Sequence, residues 1–103
     1  MSAKSILFIT RPDILSPVLS RLKEKGYELL VSETLAGARK ILSSRMPDLI
    51  FAQNRLADFN ARDLLAELSK VSCADRVIVL AEQGTADEAR KIMEMGAKDY
   101  WLA

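Results

Sequence analysis

The run Pro47-Asp48-Leu49-Ile50-Phe51-Ala52-Gln53 ends on the residue best placed to do chemistry, and that residue is an amide. A short apolar run between turn signals reads as a strand fed into a covered, parallel sheet. In such sheets ligands sit in the crevice beyond the carboxyl ends of the strands. A carboxylate at that point could attack phosphorus or hold a metal, whereas the neutral Gln53 does neither well. The chain has one cysteine, Cys73, and no histidine. This removes Ser-His-Asp, Cys-His and most zinc chemistry. Without imidazole or a metal to activate it, Cys73 reads as a connector between a helix and a strand. The acids near the same rim, Asp13 and Asp58, have no second carboxylate at a convincing spacing. Asp48 begins its strand, about 17 Å from the functional end at the usual rise, and belongs to the opposite rim. No catalytic residue, no metal ligand set and no cofactor is expected.

The elements that must position these residues alternate without interruption. Ser5–Thr10, Tyr27–Ser32, Asp48–Gln53, Arg76–Ala81 and Lys98–Leu102 read as strands. Between them lie four helical patterns. The first opens on Pro12, carries Leu15, Val18, Leu19 and Leu22 on one side, and stops at Gly26. The second buries Leu35, Ala38, Ile41 and Leu42 and ends before Pro47. Asn60 with Asp63, and Thr85 with Glu88, look like capping boxes that open the third and fourth. Gly96 closes the fourth. Strands joined by helical crossovers run parallel, and right-handed crossovers put helices on both faces. The stretch from Gln53 through Phe59 reads as a polar loop.

With 103 residues, one domain spanning 1–103 is expected. Half of the residues are hydrophobic and 28% are charged, a balance that fills a core. A net charge of +1 shows no strong draw to nucleic acid or membrane. No apolar run approaches the roughly 18 residues of a membrane span, and the first strand is too brief for a signal peptide. A lone cysteine fits a reducing, cytoplasmic setting.

Four segments carry a family likeness: ILFIT, PDLIFAQNRL, RVIVLAEQG and GAKDYWLA. With the punctuation between them, they make the chain resemble a response-regulator receiver domain. The resemblance implies a flavodoxin-like, doubly wound α/β fold with strand order 2-1-3-4-5 and a final helix absent from this chain. It also implies a phosphorylation pocket, and this chain departs from it at every position. The family's Mg²⁺-binding acid pair falls on Thr10 and Arg11, its phosphate-accepting Asp on Gln53, its Thr or Ser on Ala81, and its Lys on Ala103. Only the aromatic position of the fifth strand keeps a fitting residue, Tyr100. A guanidinium repels Mg²⁺, which wants hard oxygen ligands. The reading is a degenerate pseudo-receiver. Arg11 either fills the empty metal site and pairs with Asp58 or the Gln53 carbonyl, or is a solvated loop residue.

The function expected from the resemblance is binding rather than catalysis. A receiver unable to take phosphate would act on a fused output domain or a protein partner, with no direct contact to nucleic acid or membrane. Tyr100 and Trp101, adjacent on one strand, must point to opposite faces. With Met93 and Met95 they form the candidate partner surface, and the fourth helix and fifth strand are the candidate homodimer face. Two alternatives stand beside this reading. One is an ordinary phosphoacceptor receiver, with Asp58 as the fallback acid. The other is a small flavodoxin-like nucleotide or cofactor binder, which lacks a glycine-rich phosphate loop. Without a closing helix, apolar surface on one face of the fifth and first strands is expected to be open. Either self-association or a chain that stops short of its natural end would follow.

Overall fold

The computed structural model describes residues 4–10, 19–56, 59–81 and 85–102. Pro12, Leu15, Val18, Arg11, Asp13, Asp58 and Ala103 lie outside the described residues. In chain order the elements are β1 (Ser5–Ile9), a helical segment at 19–24 (α1), β2 (Glu28–Ser32), α2 (Leu35–Ser44) and β3 (Leu49–Gln53). They continue with β4 (Arg55–Leu56), β5 (Phe59–Asn60), α3 (Ala61–Ser69), β6 (Val77–Ala81), α4 (Ala86–Glu94) and β7 (Asp99–Leu102).

Five of the strands form one parallel sheet in the order β2-β1-β3-β6-β7. Counting only these five, the order is 2-1-3-4-5, the flavodoxin-like arrangement expected from the sequence. Each strand starts or stops within a residue of its expected place, because the apolar runs are short and sharply bounded. Two details differ. The supposed polar loop after Gln53 contains a small antiparallel ribbon, β4 with β5, which pairs Arg55 with Asn60 and Leu56 with Phe59. Strands of two residues are too short to leave a period-two pattern. A single 3-10 turn, Ala74–Arg76, also precedes β6.

The helix starts are set by side chains that satisfy otherwise unpaired N–H groups. Thr34 accepts from the Gly37 N–H, Asn60 from the Asp63 N–H, and Thr85 from the Glu88 N–H. Gly26 and Gly96 take φ of +89° and +98° after the first and fourth helices, a conformation that costs glycine little.

Alternation along the strands divides the core in two. Leu7, Ile9, Ile50, Ala52, Val77 and Val79 face α2, α3 and α4, whose Leu35, Ala38, Leu64, Leu65, Leu68 and Ile92 close over them. The opposite face carries Ile6, Phe8 and Ile78, all buried, and a row of aromatic rings. Phe8 stacks on Phe51 with centroids 5.3 Å apart, and Phe51 meets Trp101 at 5.4 Å. Trp101 is 46% exposed, so this face is less completely covered than the other.

Candidate functional site at the carboxyl ends of β1 and β3

β1 and β3 are neighbours, so the residues at their carboxyl ends meet at one rim. Thr10 follows β1 directly. Its N–H bonds the Ser32 carbonyl at 3.0 Å, and its side chain is buried. The Thr10 hydroxyl donates to Oε1 of Gln53 at 2.7 Å. That carbonyl oxygen was one of two partners considered for Arg11, which lies outside the described residues. Ala81 closes β6 on the same rim, buried and with only a methyl group to offer.

Thr10, Gln53 and Ala81 do not fit a hydrated Mg²⁺. They supply one hydroxyl and one amide, already bonded to each other, and no carboxylate. Among the described residues no group of three or more His, Cys, Asp or Glu side chains could hold a metal ion. Of the five pocket positions, the structure brings together Thr10, Gln53 and Ala81. Arg11 and Ala103 lie outside the described residues, as do Asp13 and Asp58.

The residue after Gln53 was not singled out by its sequence. Asn54 is 8% exposed, and its backbone is held at both ends. Its N–H bonds the Leu80 carbonyl at 2.7 Å, and its carbonyl accepts from the Ala61 N–H at 2.8 Å. Its side-chain amide donates to the Glu88 carboxylate in the first turn of α4. The Tyr100 hydroxyl reaches the same Glu88 oxygen at 3.4 Å. Burial, then the neighbouring Glu88 charge, pushes the Tyr100 phenol above its ordinary value. The Thr85–Glu88 pair is therefore half of the box read from the sequence. Thr85 caps the helix, while the Glu88 carboxylate turns to Asn54 and Tyr100. A polar residue beside a strand-end Gln was the only available signal for Asn54.

The four candidate interface residues do not share one surface. Met93 is exposed on α4, whereas Met95 and Tyr100 are half-buried against the core beneath it. Trp101 alternates to the other face of the sheet, where its indole N–H donates to Asp99 at 2.8 Å. On that face a groove of about 460 Å³ runs among Ile6, Leu22, Tyr27, Leu49 and Phe51. It opens near the starts of β1 and β3, the far end from Gln53. Asp48 stands there too, as its place in the strand implies. It accepts from the Ser5 N–H at 2.8 Å, and this bond holds its carboxyl below the usual range. Cys73 lies in the connector between α3 and β6, half-buried, with its thiol 3.4 Å from the Val71 carbonyl.

No protein-family profile matches the chain. Individual relatives do. The photosynthetic apparatus regulatory protein RegA of Rhodobacter capsulatus is 28% identical over 100 residues, which cover 96% of this chain and 54% of RegA. The alginate biosynthesis transcriptional regulatory protein AlgB of Pseudomonas putida is 29% identical over 79 residues, 77% of this chain and 18% of AlgB. The chain thus spans about half of one relative and under a fifth of the other. Among solved structures, the receiver domain of the TMAO respiratory system response regulator TorR superposes with a TM-score of 0.82 and 26% identity. That match covers 96% of this chain and 82% of the TorR domain. The chain is thus similar along most of its length to regulatory proteins, and similar in fold to a response-regulator receiver domain.

Proposed function

We propose that this receiver domain works without phosphorylation and signals by protein–protein contact. The observation that carries the proposal is the bond from Thr10 to Gln53. Phosphoryl transfer needs an acceptor held in line and cations that neutralise the transferring oxygens. An amide in place of the acceptor, bonded to a neutral hydroxyl, meets neither need. Ala81 adds no hydroxyl with which to grip a phosphoryl group. In this reading the domain is not an enzyme and takes no cofactor. It sits in the cytoplasm and regulates a fused output domain or a separate protein, consistent with relatives that are regulatory proteins much longer than this chain. No helix among the described residues is long and apolar enough to cross a membrane. Met93, exposed on α4, is the point at which a partner or a second copy would first touch the α4 and β7 side.

Acetyl phosphate with Mg²⁺, followed by intact mass measurement, tests the reading. The expected result is an unchanged mass, and no Mg²⁺-dependent change in Trp101 fluorescence on adding beryllium fluoride. A stable gain of one phosphoryl group on any acid, Asp58 included, would replace it with an ordinary phosphoacceptor receiver.

A further inference from the structure

We propose that Asn54, Glu88 and Tyr100 form a conformational clasp that holds the start of α4 and the strand β7 against the end of β3 in one arrangement. The clasp deepens the reading above, on which its purpose rests, by naming what sets the conformation of the same rim when phosphate does not.

Asn54 lies 34 residues before Glu88 and Tyr100 lies 12 after it, and each is mounted rigidly. Asn54 has its backbone N–H and carbonyl both bonded, to Leu80 and Ala61, so its side-chain amide is a fixed donor. Glu88 stands in the first turn of α4, with its own N–H received by Thr85 at 3.1 Å. Tyr100 packs its ring against the main core and carries its hydroxyl to Glu88. A buried amide left without a partner is costly, and a bond to a carboxylate is about twice as strong as a neutral one. Glu88 therefore satisfies Asn54 and orients Tyr100 at once. Ile92 is the one fully buried residue of α4, so apolar packing holds the middle of that helix. The clasp holds its beginning. With Glu88 removed, the start of α4 loses its tie to β3 and the Tyr100 ring loses the group that points it inward.

Amide hydrogen exchange on the whole chain tests this, because it reads local opening segment by segment. In Glu88→Ala, amides of α4 and β7 are expected to exchange about tenfold faster, the loss of roughly one charged hydrogen bond. Those of β1 and α2 should be unchanged. Glu88→Gln keeps a carbonyl acceptor for Asn54 and should restore most of the protection. In a Tyr27→Phe background, which leaves Tyr100 as the one phenol, Glu88→Gln should move its alkaline titration toward the ordinary value. If Glu88→Ala does not fold, Tyr100→Phe tests the β7 arm, with faster exchange confined to β7 and α4. Unchanged exchange in α4, or equal acceleration across all elements, would overturn the clasp. The two readings fail separately. A chain that takes up phosphate yet responds to Glu88→Ala keeps the clasp, and one that is inert to both loses it.

Discussion

The Thr10 hydroxyl and the Gln53 side-chain carbonyl are bonded at 2.7 Å, joining the ends of two adjacent strands that lie 43 residues apart in the chain. The two ends of this bond differ in exposure, and that makes the substitutions unequal. Gln53 is half-buried, so in Thr10→Val its carbonyl can meet water, and the cost should be about 1 kcal/mol or less. Thr10 is only 2% exposed, so Gln53→Ala takes an acceptor from a buried hydroxyl and should cost about 1–3 kcal/mol. Urea denaturation of both variants checks the order.

Phe51 touches both neighbours in the aromatic row, Phe8 and Trp101. Phe51→Ala should therefore cost about 2–4 kcal/mol, toward the lower end for a core Phe because the ring is half-buried. Trp101 is the single tryptophan, so its emission should also shift to the red as its ring loses its apolar neighbour. One fluorescence-monitored denaturation reads both.

A methyl group on Gly37 would stand 2.5 Å from the Ser32 hydroxyl oxygen. That oxygen cannot retreat freely, since it donates to the Thr34 carbonyl at 2.8 Å and receives the Thr34 N–H at 3.3 Å. Gly37→Ala should destabilise by about 1–3 kcal/mol, although alanine is the better helix former. In a Ser32→Ala background the cost should be smaller, with the Thr34 hydroxyl oxygen left as the close neighbour at 3.2 Å. Thermal denaturation of the four proteins gives the coupling.

Acid should lower the stability of the chain modestly through several exposed carboxylates held below their ordinary range. Asp48 is held there by the Ser5 N–H, Glu67 by Arg39, Asp87 by Lys91 and Arg90, and Asp99 by the Trp101 indole and the Tyr100 N–H. Lowered folded values mean that this stability is present in full above about pH 4, where unfolded carboxyls titrate, and is lost as pH falls through the folded values. Asp48→Asn should flatten the acid limb. Tyr100 acts at the other end. Its raised folded value means that stability declines as pH rises above about 10. Stability measured across both limits checks the signs.

The strands were legible in the sequence because each is a short apolar run closed by a turn residue, and Gln53 could be placed at a strand end for that reason. Alternation also fixed that Tyr100 and Trp101 face opposite ways. Which of them lies under α4 depends on register with β6, where Val79 pairs with Tyr100 and Leu80 with Trp101. A single strand does not carry that information. The Thr10–Gln53 and Asn54–Glu88 bonds escaped because each joins residues dozens of positions apart, and a polar side chain has no periodicity to betray its partner. Glu88 was also masked by its second role, since its N–H fits a helix start whatever its carboxylate does.

The strand order also has a consequence for how the chain is assembled as it is synthesised. Once β1 and β2 are paired, β3, β6 and β7 each add in chain order at the same edge of the sheet. No later strand has to be inserted between two that are already joined. Domains made from the amino end can fold while the rest is still emerging. β7 is the fifth strand of this sheet to emerge, and it completes the sheet at that edge.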